Sequence, residues 1–109
     1  MTTSIANPTT ATFDAEVLQR EGTVLVDFWA PWCGPCNALK PVVQAVLGLR
    51  DTGVQGAFVN VDESPELAQR YGVTSIPALK LFRDGELVAE RTGALPKADL
   101  EAWLDEHGA

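Results

Sequence analysis

Cys33 and Cys36 are the only two cysteines of this 109-residue chain, and they stand three positions apart. Two cysteines scattered at random would fall at that spacing roughly one time in fifty, so the pair asks for a chemical reason. A thiolate, not a thiol, attacks disulfides. The residues before the pair read as a strand and those after it as a helix, which puts Cys33 at a helix N-terminus. There it meets unpaired backbone N–H groups and the positive end of the helix dipole, and both favour the thiolate. Cys36 lies one turn further in, close enough to bond back to Cys33. Gly34 permits the tight turn, and Pro35 starts the helix at a fixed φ. Such a pair cycles between dithiol and disulfide: Cys33 attacks, a mixed disulfide forms, and Cys36 resolves it.

Three other readings fit the pair less well. A zinc site needs four ligands, and outside the pair only His107 is available, on another predicted helix. An inert structural disulfide would close a very short loop and constrain little. A hydrolytic Cys–His pair needs His107 to reach Cys33, yet His107 lies on an apolar helical face near a C-terminus, where packing explains it.

Asp27 is the sharpest anomaly. It interrupts the apolar run Val24-Leu25-Val26-Asp27-Phe28-Trp29, and burying an unpaired carboxylate is costly. One reading is a hydrogen-bonded structural residue. The other is a carboxyl whose pKa is raised by desolvation, so that its carboxylate form can accept the Cys36 proton during resolution.

The elements that must position these groups follow from periodicity. Ser4 to Asn7 is weakly strand-like. Thr12 to Arg20 has a helical face of Phe13, Val17 and Leu18, with Thr12 as N-cap. Thr23 to Trp29 reads as a strand buried on both faces. Pro35 to Leu49 reads as a helix that Pro41 should interrupt and bend. Ala57 to Val61 is a second core strand. Ser64, Pro65 and Glu66 open a helix, with Ser64 as N-cap. Ala78 to Arg83 and Glu86 to Arg91 flank the tight-turn pair Asp84-Gly85. Pro96 opens a last helix with Leu100, Trp103, Leu104 and His107 on one face. Alternation first and a hairpin later means an α/β sandwich with a mixed sheet.

Length suits a single domain spanning 1–109. The apolar fraction of 46% excludes a disordered chain, and the net charge of −7 argues against nucleic-acid or anionic-membrane binding. No apolar run approaches transmembrane length. The first residues lack the basic start and apolar core of a secretory signal, which points to the cytoplasm, where a CxxC is catalytic or metal-binding more often than a staple.

Trp32-Cys33-Gly34-Pro35-Cys36 resembles the active-site motif of the thioredoxin family. Val26-Asp27-Phe28-Trp29-Ala30, Pro41, Asn60-Val61-Asp62, Tyr71-Gly72-Val73, Ile76-Pro77, Asp84-Gly85 and Gly93-Ala94 match in family order. The resemblance implies a thioredoxin fold, a central mixed five-stranded sheet flanked by four helices. It implies a monomeric dithiol carrier with no bound cofactor or metal. Its partners would be disulfide-containing target proteins and a thioredoxin reductase, an NADPH-dependent flavoprotein. It assigns catalysis to Cys33, Cys36 and Asp27. It further implies a cis-proline at Pro77 against the cysteines, which leaves the Ile76 backbone free to pair with an extended substrate. Trp32, Gly34, Pro35, Ile76, Pro77, Gly93 and Ala94 would form a mostly apolar docking face. Trp29 and Trp103 read as packing residues, and Asp62 and Glu63 as a solvated face or a steering patch.

The chain departs from the pattern at three places. Phe58 stands where many bacterial relatives carry a lysine near the buried aspartate; this removes an opposite charge and should raise the Asp27 pKa further. Asn37 replaces a frequent lysine after the second cysteine, and Ala78 a common threonine. Gly34-Pro35 favours a reductant over an oxidase or isomerase of the same fold; a redox-independent binding subunit is the third reading.

Overall fold

The computed structural model describes residues 5–50 and 53–109. The element order is β1 (Ile5–Ala6), a π-helical turn (Asp14–Leu18), β2 (Thr23–Trp29), α1 (Gly34–Leu49), β3 (Gln55–Asn60), α2 (Pro65–Arg70), β4 (Ala78–Arg83), β5 (Glu86–Thr92) and α3 (Lys97–Glu106). The strands form one sheet in the order β1-β3-β2-β4-β5. β1 and β2 run parallel to β3; β4 runs antiparallel to both β2 and β5. The expected mixed five-stranded sheet with four flanking helices is therefore what the chain builds.

β2 is central and buried on both faces, as its apolar run requires. Its alternate residues feed two cores. Leu25, Phe58, Leu79 and Leu81 pack with Leu39, Val43, Leu100 and Trp103 from α1 and α3. Val24, Val26, Phe28 and Phe82 pack with Phe13, Val17 and Leu67 on the other face. The hairpin turn takes the left-handed pair that two-residue loops favour, with φ of 51° at Asp84 and 84° at Gly85. Asp84 also accepts the Gly22 N–H at 2.8 Å, which ties the turn to the entry of β2.

Several local expectations are corrected. Thr12 does not cap a helix. The turn beginning at Asp14 has Phe13 in helical conformation at its N-cap position with no side-chain cap bond, and Thr12 bonds to Glu16 and Thr9 instead. Ser64 precedes α2 without capping it; its hydroxyl accepts the Thr10 N–H at 3.2 Å, a tertiary bond that competes with the local one. β3 begins at Gln55 and ends at Asn60, two residues earlier and one residue short of the pattern. α1 runs through the exposed Pro41 to Leu49 rather than being interrupted there. The start of the first strand, placed at Ser4, lies outside the described residues.

Candidate active site

α1 begins where β2 ends, and the cysteines occupy that junction. Cys33 is the N-cap of α1 in extended conformation, and its Sγ accepts the Cys36 backbone N–H at 3.2 Å. A helix N-terminus leaves such N–H groups without intrahelical partners. Here one of them points at sulfur, the arrangement that stabilises negative charge on Cys33. Cys33 and Cys36 are joined as a disulfide with a Cα–Cα distance of 5.2 Å. Cys36 is fully buried and Cys33 only 6% exposed. Asn37 donates from its amide to the Pro31 carbonyl at 2.9 Å, which fastens the loop leading into the pair.

Asp27 lies on β2 beneath this junction. It is fully buried, and neither carboxyl oxygen has a hydrogen-bond partner among the described residues. In the ladder it stands opposite Phe58 on β3 and Leu79 on β4, both apolar. Burial pushes its pKa up from 3.8 to about 7, against the opposing pull of the Lys40 ammonium. The hydrogen-bonded structural reading of Asp27 thus has no partner to support it.

Lys40 was not singled out from the sequence. Its Nζ sits 3.5 Å from the centroid of the Trp29 ring and 5.0 Å from that of Phe58. The charge that a lysine at position 58 would have supplied is replaced in part from α1. The available signal was spacing: position 40 follows Cys36 by four, on the same helical face.

The loops around the sulfurs carry the remaining residues. The Ile76–Pro77 peptide is cis, and the Cys33 Sγ lies 3.9 Å from the Ile76 carbonyl oxygen. Gly93 donates its N–H to the Pro77 carbonyl at 2.7 Å, so the two loops adjoin. Trp32 is 70% exposed. Its indole N–H donates to the Asp62 carboxylate at 2.9 and 3.2 Å, so Asp62 is a partner of the tryptophan and not merely a solvated charge. Asn60 shapes that corner by accepting the Asp62 N–H at 2.9 Å. Gly34 and Pro35 are exposed beside Trp32, while Ala94 is exposed on the loop after β5. A groove of about 180 Å³ is lined by Trp32, Val61, Ala68, Val73, Thr74 and Ile76.

His107 is not part of this site. It caps α3, stacks edge-on against Trp103 at 5.6 Å, and its carbonyl receives Arg83 at the far end of β4. The cysteines adjoin the opposite end of that strand, where Ala78 begins it. Among the described residues no three of His, Cys, Asp and Glu are grouped to hold a metal ion. Nor is any helix there long and apolar enough to cross a membrane.

Comparison with known proteins follows the same lines. The thioredoxin family model matches residues 4–106. The chain is 48% identical over 99 residues to thioredoxin 1 of Synechococcus elongatus, covering 91% of this chain and 92% of that protein. It is 44% identical over 102 residues to thioredoxin 1 of Nostoc, covering 94% and 95%. With the thioredoxin of Pseudomonas aeruginosa the identity is 43% over 105 residues, covering 96% and 97%. A buried cysteine pair bonded across the first turn of α1, matched end to end with these relatives, makes this chain a member of the thioredoxin family and a thiol-disulfide oxidoreductase.

Proposed function

We propose that the chain works as a single domain, a cytoplasmic dithiol carrier that reduces disulfides in target proteins, with Cys33 as the attacking sulfur. The Cys33 thiolate attacks one sulfur of the target disulfide. A Cys33–target bond forms, and the second target sulfur leaves as a thiolate. Cys36 then loses its proton to the Asp27 carboxylate and attacks Cys33 Sγ. The Cys33–Cys36 bond forms and the first target sulfur is released. The oxidised pair is returned to the dithiol by an NADPH-dependent thioredoxin reductase. The observation that carries the assignment of roles is the Cys36 N–H directed at Cys33 Sγ. It distinguishes the two sulfurs, one at the positive end of the helix and one inside it.

Trp32, Gly34, Pro35, Ile76, Pro77, Gly93 and Ala94 supply the docking face. Its support is the Ile76 carbonyl beside Cys33 Sγ, the Gly93–Pro77 bond that joins the two loops, and the mainly apolar groove lined by Trp32 and Ile76. An extended target segment would lie along Ile76, next to the sulfur.

Reduction of insulin disulfides, coupled to NADPH and a thioredoxin reductase, tests the reading. Turnover is expected, with Cys33→Ser lowering it more than roughly 1000-fold and Cys36→Ser accumulating the mixed disulfide. A folded dithiol protein that turns over with no reductase would overturn it. So would a reduction potential at the oxidising end of the family range.

A further inference from the structure

We propose that Lys40 is a positioning residue for disulfide exchange: its ammonium, held on the face of Trp29, supplies the positive charge that keeps the Asp27 carboxylate available to Cys36. The proposal rests on the proton-acceptor role given to Asp27 above.

Three placements converge. Cys36 and Lys40 are four apart on α1 and share its sheet-facing side. Asp27 and Trp29 are two apart on β2 and share the face toward α1. Phe58 stands directly opposite Asp27 on β3. Lys40 Nζ spans the two rings, at 3.5 Å from one centroid and 5.0 Å from the other. The cation is therefore fixed above the rings that flank Asp27 along the strand and across it. An aromatic face holds a cation without neutralising it as a carboxylate would.

The charge also has no competing use. The ion pairs among the described residues are Arg50–Asp105, Arg70–Asp14, Lys80–Glu90 and Lys97–Glu101, and Lys40 is in none of them. Lys40 is half-buried, so its ammonium is held against the rings rather than paired with a carboxylate. The other elements around Asp27 present no charge to it. β3 offers Phe58 and β4 offers Leu79, while Lys80 pairs with Glu90 at 3.4 Å. The buried residues of α3 are Leu100, Trp103 and Leu104. Among the described residues, the charge that acts on Asp27 is that of Lys40 on α1, one turn beyond Cys36.

The chemistry needs this charge. Asp27 accepts a proton only as a carboxylate, and burial by itself favours the protonated form. Lys40 opposes burial and returns part of the carboxylate population near neutral pH. During resolution the proton moves from Cys36 to Asp27. The Cys36 electron pair forms the bond to Cys33 Sγ, and the bond from Cys33 to the target breaks.

The test has two readouts on wild type, Lys40→Gln, Lys40→Arg, Asp27→Asn and the Lys40→Gln, Asp27→Asn double variant. The first is the Asp27 carboxyl titration by carbon NMR. The second is the pH profile of the resolving phase, with an aromatic disulfide that releases a coloured thiolate in each of two phases. Lys40→Gln should raise the Asp27 midpoint by about half a pH unit or more and slow resolution near pH 7 by roughly threefold. Lys40→Arg should restore both, and Lys40→Gln should have no effect once Asp27 is Asn. An unshifted midpoint in Lys40→Gln, with Asp27→Asn still slow, overturns the role of Lys40 alone. A shifted midpoint with Asp27→Asn resolving at the wild-type rate removes the proton-acceptor role, and this proposal with it.

Discussion

Asp27 on β2 and Lys80 on β4 are both buried, 0% and 5% exposed, yet the fold treats them in opposite ways. Lys80 stands beside Glu90 on β5 in the ladder and reaches its carboxylate at 3.4 Å. That partner is largely exposed, so the ammonium is led toward water along its own apolar stem. Asp27 faces Phe58 and Leu79 and has no hydrogen-bond partner among the described residues. Its short side chain cannot reach solvent, and the counter-charge stands off behind aromatic rings. The paired residue costs the fold little. The unpartnered one is a standing cost whose size depends on pH, and such costs gather at sites of function.

Breaking the Asp27 side of the comparison should give the largest effect. Asp27→Asn should slow resolution of the mixed disulfide by roughly 100-fold, read as a long-lived second phase. The same variant should be more stable at high pH. The folded protein retains a proton between pH 3.8 and about 7 that the unfolded chain has lost, so wild-type stability falls across that window and stays low above it. Asp27→Asn lacks this loss. Denaturant curves at pH 4 and pH 8 should therefore diverge, with the variant ahead at pH 8 by on the order of 4 kcal/mol, as the pKa rise from 3.8 to about 7 converts. Parallel curves at both pH values would show that Asp27 is already solvated or partnered.

Phe58→Lys sharpens the comparison by giving Asp27 a nearer partner. Its midpoint should drop by about 1 pH unit, and NMR titration should show an equal or higher value only if the new ammonium turns away. The smallest effect belongs to the paired residue. Lys80→Met should change stability by less than about 1 kcal/mol and leave the pH profile of resolution where it was. A displaced profile would mean that Lys80 acts on the site through the sheet.

Much of the fold was legible because its local and tertiary preferences agree. The apolar run of β2 and the Asp84-Gly85 turn each had one reading, and the strands flanking that turn were placed to within a residue. The cysteine pair stood out by spacing, and Asp27 by being charged inside an apolar run. What failed was local chemistry with a distant competitor. Ser64 looks like a helix cap, but Thr10, far away in sequence, takes its hydroxyl. Lys40 drew no reading from the sequence, because its setting depends on which rings β2 and β3 bring beneath α1. Asp62 is exposed, as a solvated residue should be, but only the folded chain brings it to the Trp32 indole.

The hydrogen bond from Gly93 to the Pro77 carbonyl has a consequence for recognition. Together with the Asn37–Pro31 and Trp32–Asp62 bonds, it stitches the loops of the proposed docking face to one another before any target arrives. A partner meeting such a surface pays little ordering entropy. Discrimination among targets then falls to how well an extended segment can present its own disulfide. The proposed docking face would then select by the shape of the segment that carries the target disulfide, not by remodelling itself around each one.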